Sequence, residues 1–415
     1  MTALAGAPLA DPRHVRADAL PLVVARAEHA WVWDEAGTRY LDLSGAWHAQ
    51  VAGHRPHAVC QVLARQADMP FSALGPGHTV AMAPALAGML AELAPWRAGT
   101  CARFLPDTSA AVEAAVRMAR LRSGRRHVVS FAGAQHGSYG TALALSGRRP
   151  PFVDSDDAFA LHTHILPYPH TVGGVTRDET QRAFVRLFAS RTAPEGIAAI
   201  VVEPIQPRTG IVAAGAFMDD LRRLCDDHGI ALIADETATA PACTGKTFAI
   251  QHFDIEPDMI VLGPALAAGL PGAALIARAG PAQPAGVDGE SACSTAFLLG
   301  AQAMLELGEG AGLASAALAL GRDWLSHMQQ ARARGLGLAD PRGLGAVRAI
   351  TVCDRAGRPD PVLAGRVHAA ARARGVLTRL GDGGALVFHL PATLSTHDLH
   401  AGLDVFFTAM QEAGA

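Results

Sequence analysis

The chain has 415 residues, half of them hydrophobic, and a formal net charge of -3. This length and apolar content predict a folded protein with one or two large cores. The near-neutral charge and the absence of basic blocks argue against a nucleic-acid partner, and no apolar run is long enough to span a bilayer. The first 20 residues lack the pattern of a secretion signal, so we expect a cytoplasmic protein without a membrane partner.

The first predicted element is a hairpin within residues 31–43, with its turn at Glu35 to Gly37. From about Arg103 onward, short apolar runs alternate with amphipathic stretches, which is typical of a mostly parallel α/β sheet. Five of these runs are predicted to be buried strands: 127–133, 197–204, 230–236, 259–263 and 273–278. Helices are predicted over 216–229 and at 395–414, the second with Ser395 as its N-cap.

The two ends of the chain differ from its middle, because they mix strands and helices without regular alternation. We therefore predict a large, mostly parallel α/β domain at residues 61–315. A small discontinuous α+β domain is predicted to combine residues 1–60 with residues 316–415.

Carboxylates end two of the predicted strands, where α/β sheets place their ligands. Asp235 and Glu236 end the strand at 230–236, and Glu203 precedes Pro204 at the end of another. Such a carboxylate can hold a protonated ring nitrogen of a cofactor or cap a helix, and the pattern leaves both roles open. For Glu203 by itself, the pattern favours a solvated residue that only terminates its strand.

Two further segments have both a functional and a structural interpretation. Thr108 and Ser109 open a predicted helix, where backbone N–H groups favour an anion such as phosphate, but N-capping explains the same residues. His136 lies in the glycine-rich loop 133–140, after a strand, and is either an acid/base group or a structural histidine.

Metal and amine chemistry have few candidates in this sequence. His162, His164 and His170 lie close together, but the further ligand of a tetrahedral site is missing, so we predict a polar loop and no metal. The six cysteines are scattered singly, which predicts reduced, mostly structural thiols. Lys246 is the sole lysine of the chain and therefore the sole side-chain amine.

Taken in order, these segments resemble the class III aminotransferases, which are fold-type I pyridoxal-phosphate enzymes, and especially the branch around glutamate-1-semialdehyde aminomutase. The similarity runs from about Trp31 to the C-terminus. Residues 201–278 can be matched to the family's central block without a gap, and residues 40–59 are similar to its glycine-histidine-x-proline segment.

The resemblance implies a two-domain fold and a homodimer with active sites at the subunit interface. In the family, the cofactor forms an imine with a lysine, its ring nitrogen pairs with the aspartate that matches Asp235, and its ring stacks on an aromatic residue. The residues of this chain that match cofactor-binding positions are Thr108, Ser109, Gln135, His136 and Asp235.

This chain departs from the family pattern at several of these positions. Pro264 stands where the family has its lysine, and Gln135 replaces the stacking aromatic residue. The phosphate loop keeps Ser109 but has Thr108 for glycine and Ala110 for glutamate. Glu290 stands where the neighbouring subunit would offer threonine to the phosphate, and its charge would repel that group.

Three functions fit this combination. The first is a repurposed enzyme of specialised small-molecule biosynthesis, in which His136, Asp235, Glu203 and Arg208 perform acid/base chemistry, either without cofactor or with pyridoxal or pyridoxamine phosphate as a loosely held cosubstrate. The second is a transaminase or aminomutase whose imine lysine is Lys246. The third is a non-catalytic subunit or binding protein.

Overall fold

The computed structural model describes residues 22–72, 78–97, 99–147, 162–170, 174–190, 192–279 and 293–414. The strands are β1 (Val24–Glu28), β2 (Trp31–Asp34), β3 (Arg39–Asp42), β4 (Thr100–Leu105), β5 (His127–Phe131), β6 (Thr163–Leu166), β7 (Ile197–Val202), β8 (Ile205–Gln206), β9 (Ile211–Val212), β10 (Ala231–Glu236), β11 (Met259–Leu262), β12 (Ala273–Arg278), β13 (Leu338–Leu344), β14 (Val347–Val352), β15 (Val376–Leu377), β16 (Arg379–Leu380) and β17 (Ala385–His389). The helices are α1 (Gly45–His48), α2 (His57–Arg65), α3 (Met82–Leu93), α4 (Thr108–Ser123), α5 (Gly140–Ala144), α6 (Arg177–Ala189), α7 (Gly215–His228), α8 (Thr295–Ala311), α9 (Leu313–Ala333), α10 (Pro361–Ala373) and α11 (Thr396–Ala413).

A seven-stranded sheet in the order β4-β12-β11-β10-β7-β5-β6 forms the centre of the molecule. Its strands are parallel except β12, which runs antiparallel to both of its neighbours. Every residue of β7 and β11 is buried, as expected when helices cover both faces of a parallel sheet. One face packs against α4 through residues such as Val112 and Met118, and the other against α7 through Phe217 and Leu221.

Both ends of the described chain meet in a second region. The β1-β2-β3 meander is extended by β15, where Leu41 pairs in parallel with Val376. A separate antiparallel sheet follows the order β13-β14-β17-β16. The core of this region contains Trp324, Phe388 and Phe406. This arrangement fits the predicted discontinuous small domain, and the boundaries at residues 60 and 315 stay predictions.

The predicted fold class is confirmed, since a large, mostly parallel sheet is joined to a smaller α+β region. The five predicted buried strands, the hairpin and the helix at 216–229 all occur within a few residues of their expected bounds. Ser395 caps α11, where its hydroxyl accepts the backbone N–H of Asp398 at 3.0 Å. The predicted polar loop around His164 is wrong for residues 163–166, which form the edge strand β6, whereas residues 167–170 lie outside any helix or strand.

No single helix among the described residues is both long and apolar enough to cross a membrane. Two adjacent helical segments, Thr295–Gly308 and Leu313–Ala333, are bent by 70° with respect to each other. They are long and apolar enough to span a membrane only when they are taken together.

Candidate active site

The two carboxylates that end β10 point to opposite faces of the sheet and have different partners. Glu236 accepts the backbone N–H groups of Ala249 and Ile250, at 2.6 and 2.8 Å, and the hydroxyl of Thr239 at 3.1 Å. Burial raises the pKa of Glu236 to about 7 in spite of these bonds. Glu236 therefore anchors the loop that follows β10, whereas Asp235 faces the loop that follows β5.

His136 is buried in the loop after β5 and is the partner of Asp235. Its Nδ1 lies 2.6 Å from Asp235 Oδ2, and its Nε2 lies 2.9 Å from the hydroxyl of Ser130. Burial alone would lower the pKa of His136, but the hydrogen bond and the charge of Asp235 raise it above its usual value. The imidazole is thus held from both sides, with Nδ1–H donating to Asp235.

Glu203 lies beyond the end of β7 and is only 4% exposed, so the solvated strand terminator is wrong for this residue. Its Oε1 accepts the backbone N–H of Gln135 at 3.4 Å, and no described residue donates to its Oε2. Burial raises the pKa of Glu203 to about 8, against the opposing charge of His136. This carboxyl group therefore holds its proton near neutral pH, and one of its oxygens has no hydrogen-bond partner among the described residues.

Arg208 approaches the same cluster through Gln135. Its Nη1 donates to Gln135 Oε1 at 3.3 Å, and its Nε lies 3.6 Å from Asp382 Oδ2. The four residues predicted to be catalytic therefore lie in one cluster. Potential ligand atoms of His136, Glu203 and Asp235 all lie within 4.8 Å of one another, and Arg208 is linked to them by one glutamine.

Pro264 lies at the same edge of the sheet as Asp235. Strands β10 and β11 are parallel, and Asp235 pairs with Val261, three residues before the proline. Pro264 begins a short 3-10 turn over Pro264–Ala267, where a proline fits because the first residue of a turn needs no N–H partner. The backbone before it is tightly packed, since a Cβ at Gly263 would lie 2.2 Å from the carbonyl oxygen of Thr237.

A carboxylate occupies the N-terminus of α4. Asp107 is the N-cap, and its Oδ1 accepts the backbone N–H of Ala110 at 2.9 Å. The hydroxyl of Tyr139 donates to the same carboxylate, 2.9 and 3.1 Å from its two oxygens. The capping role predicted for the two hydroxyl residues of this turn is therefore wrong: Thr108 is the first residue of the helix, and Ser109 Oγ accepts the N–H of Ser138 at 3.0 Å.

A family model for class-III aminotransferases matches residues 13–410 of the chain. This chain belongs to the class III aminotransferases. The resemblance to the class III aminotransferases that the sequence motifs indicated is thereby confirmed.

Relatives that are named for an enzymatic activity span nearly the whole of this chain. The 4-aminobutyrate aminotransferase GabT of Escherichia coli (strain K12) is 31% identical over 405 residues, which cover 95% of this chain and 94% of GabT. The isoleucine 2-epimerase of Lentilactobacillus buchneri is 29% identical and covers 96% of this chain and 92% of its own.

Solved structures show the same fold at lower identity. A transaminase from the marine bacterium Virgibacillus superposes with a TM-score of 0.86 at 18% identity, covering 99% of this chain and 97% of that one. The taurine:2-oxoglutarate aminotransferase of Bifidobacterium kashiwanohense, in complex with PLP and glutamate, gives a TM-score of 0.86 at 22% identity, covering 94% of this chain and 92% of that one. These similarities confirm the fold-type I architecture.

The described residues of this chain include one carboxylate that suits pyridoxal phosphate. The buried carboxylate of Asp235 suits a protonated ring nitrogen. At the other end, Pro264 has no amine, and the carboxylate of Asp107 already caps the helix N-terminus, where its charge opposes a phosphate. Pro264 and Asp107 therefore offer neither an amine nor an uncharged helix N-terminus at these two positions.

Lys246, the sole lysine, has an exposed side chain in the loop after β10. Its Nζ donates to the backbone carbonyl of Gln251 at 2.9 Å, which directs the amine toward the next few residues of its own loop. This contact supports a structural role for Lys246.

The histidines considered for metal binding do not form one ligand set in the described part of the chain. His164 Nε2 lies 2.9 Å from His127 Nδ1, and the ring of His162 contacts that of His127 edge-on at 4.9 Å between centroids. His170 is in neither of the groups whose potential ligand atoms lie within 4.8 Å. Glu290, predicted to oppose a phosphate, lies outside the described residues.

Two residues of the site were not singled out from the sequence. Ser130 is a polar residue inside the apolar run of β5, and that exception was the signal for a buried hydrogen-bond partner. Asp107 directly precedes the two hydroxyl residues at the start of α4, and aspartate is a strong N-cap residue.

Proposed function

We propose that this aminotransferase-fold protein is an enzyme without a lysine-bound cofactor, which acts on a small molecule by acid/base chemistry and does not require pyridoxal phosphate. The observation that supports this most is the buried cluster of His136, Asp235 and Glu203 beside a turn that begins with Pro264. Specialised biosynthesis, a homodimer and a cytoplasmic location belong to the same proposal.

Glu203 is the proton-transferring group in this proposal. Its protonated carboxyl group can donate from Oε2, the oxygen without a described partner, and take the proton back in the reverse direction. A carboxylic acid with a pKa of about 8 suits this work near neutral pH. In this proposal the pair of His136 and Asp235 holds a positive and a negative charge beside Glu203, and Arg208 binds an oxygen of the substrate.

A second candidate uses pyridoxal or pyridoxamine phosphate as a loosely held cosubstrate, with His136 as the base. The buried carboxylate of Asp235 favours it, because that group suits the ring nitrogen of such a molecule. Asp107 opposes it, because a phosphate at the start of α4 would lie against a carboxylate.

Cofactor binding is the experiment that separates these functions. The purified protein is mixed with pyridoxal phosphate, examined for imine absorption, reduced with borohydride, and digested to locate any labelled peptide. We expect no saturable binding and no label. Binding without label would favour the cosubstrate, and label at Lys246 that disappears in Lys246→Ala would show a relocated imine and contradict the proposal.

Restoring a lysine at position 264 and removing the carboxylate of Asp107 tests whether this protein lacks the amine, the phosphate site or both. We expect Pro264→Lys alone to bind no pyridoxal phosphate, because Asp107 still occupies the helix N-terminus. Pro264→Lys combined with Asp107→Ser, which keeps a capping hydroxyl, should bind more tightly and be labelled at position 264. Equal binding by the single and double variants would contradict the role given to Asp107.

Proton exchange tests the acid/base function directly. Amino acids and 2-oxo acids are incubated with the protein in D2O, and loss of the proton beside the carboxyl or carbonyl carbon is followed by NMR. We expect exchange with the wild type and a loss of roughly 100-fold or more in Glu203→Gln, which removes the titrating group but keeps its shape. Equal exchange in both proteins would exclude Glu203 as the proton carrier.

A further inference from the structure

A cluster of two histidines and one aspartate joins α9 to α11, in the small region and away from the candidate active site. Asp323 and His327 lie one turn apart on α9, and His400 lies on α11. Asp323 Oδ2 lies 2.8 Å from His400 Nε2, and Asp323 Oδ1 lies 3.2 Å from His327 Nδ1. The two imidazole rings are in contact, with 4.4 Å between their centroids.

These three side chains already have the spacing of a small ligand set. One potential ligand atom from each residue lies within 4.8 Å of the others, so rotation of the side chains brings all three to one ion. His327 Nδ1 also lies 2.9 Å from the backbone carbonyl of Asp323, and a histidine that binds a metal commonly donates its other ring N–H in this way. Its Nε2 then serves as the metal ligand.

The chemistry of the set selects the ion. Imidazole nitrogen suits Zn²⁺, Cu²⁺ and Ni²⁺, whereas Mg²⁺ and Ca²⁺ prefer oxygen ligands only. Three protein ligands leave at least one position of a tetrahedral ion for water. The side chains of Asp323, His327 and His400 are 28%, 24% and 43% exposed, so an ion from solution can reach them.

A cleft of about 640 Å³ begins beside the cluster, and its lining contains a further carboxylate. His327 lines this cleft together with Asp404, which lies one turn after His400 on α11. Each helix thus presents an aspartate and a histidine four residues apart, and residues at this spacing share one helix face.

We propose that Asp323, His327 and His400 form a binding site for a Zn²⁺-class divalent cation, with Asp404 or water completing the coordination. The ion links α9 to α11 and so ties the C-terminal helix to the core of the small region. This site is independent of the function proposed for the His136, Asp235 and Glu203 cluster.

Zinc titration of the full-length protein tests the site. Calorimetry with Zn²⁺ alone, on protein first treated with chelator, should show one site per chain, and the thermal midpoint should rise on zinc addition. His400→Ala should weaken binding by roughly 10-fold or more and abolish the thermal shift. His397→Ala, which removes an exposed histidine from the same helix, is the matched control and should behave as the wild type.

Copper provides a readout that a purely structural hydrogen-bonded cluster would not give. The electron paramagnetic resonance spectrum of bound Cu²⁺ should show coupling to two nitrogens in the wild type and to one in His327→Gln. Asp323→Asn keeps hydrogen bonding to both histidines but should still weaken zinc binding. Absence of saturable zinc binding, or equal binding by the wild type and His400→Ala, would overturn the proposal.

Discussion

The candidate site has two ends that differ in burial. The ring end, formed by His136, Asp235 and Glu203, is buried beside the central sheet, and its members are paired or electrostatically linked to one another. The attachment end, formed by Pro264 and Asp107, lies at the start of a turn and of a helix. The ring end keeps the aspartate that would pair with a pyridine nitrogen, whereas the attachment end has a proline and a second carboxylate.

We attribute this difference to the free energy of folding that is lost when one member of each group is replaced. Removing one partner of a buried charged pair leaves the other uncompensated, so the ring end resists single substitutions. A turn position and a helix N-cap accept several residue types at small cost. Retention of Asp235 therefore reflects the fold as much as any function.

Replacement of Asp235 by alanine should have the largest effect on stability. It leaves the buried imidazole of His136 without its carboxylate, and we expect the free energy of unfolding to fall by about 3 to 5 kcal/mol. Urea denaturation monitored by circular dichroism measures this.

Pro264→Ala is the matched control for this prediction at the attachment end. This substitution should lower the free energy of unfolding by less than about 1 kcal/mol, mainly because the unfolded chain gains conformational freedom. Similar losses in the two variants would abolish the distinction between the two ends of the site.

The ionisation of Glu203 should make the stability of the folded protein depend on pH. Its pKa is about 8 in the folded protein and near 4.5 in the unfolded chain. Between these values the folded protein holds a proton that the unfolded chain has released, so stability falls as pH rises. The slope from this group is at most about 1.4 kcal/mol per pH unit.

Glu203→Gln isolates this contribution, because the glutamine cannot titrate. The free energy of unfolding is measured between pH 5 and 6.5, below the range in which His136, whose pKa is raised above 6.5, loses its proton. We expect the wild type to lose stability more steeply than the variant, and Glu236 contributes equally to both. Parallel curves would mean that Glu203 is ionised in the folded protein, and the ring end would then lack its acid.

The sequence predicted the elements of the central sheet because each is a local pattern. The runs that became β7 and β11 are apolar throughout, and the run that became β10 is apolar up to its two terminal carboxylates. The helix at 216–229 has regular amphipathic spacing. Strand β6 was missed because it is four residues long, and the histidines around and within it resemble a polar loop. Short edge strands have little apolar pattern to detect.

The site could be predicted as a set of residues but not as a geometry. His136 and Asp235 are 99 residues apart in sequence, and only the fold brings them to 2.6 Å. The burial of Glu203 was equally invisible, since a glutamate after a strand is usually solvated. Asp107 was overlooked because the neighbouring Thr108 and Ser109 are themselves good capping residues, and the cap is decided by which residue has extended backbone.

Asp107 provides the smallest and most specific test of the attachment end. Asp107→Ala removes the N-cap of α4 and should lower the free energy of unfolding by about 1 kcal/mol, whereas Asp107→Asn, which still caps, should cost a few tenths. Burial and the adjacent carboxylate raise the pKa of Tyr139 to about 12. Spectrophotometric titration should therefore show one tyrosine that ionises at lower pH in both variants than in the wild type. If the titration were unchanged, Asp107 would not lie against Tyr139 in solution, and the start of α4 would be open to an anion after all.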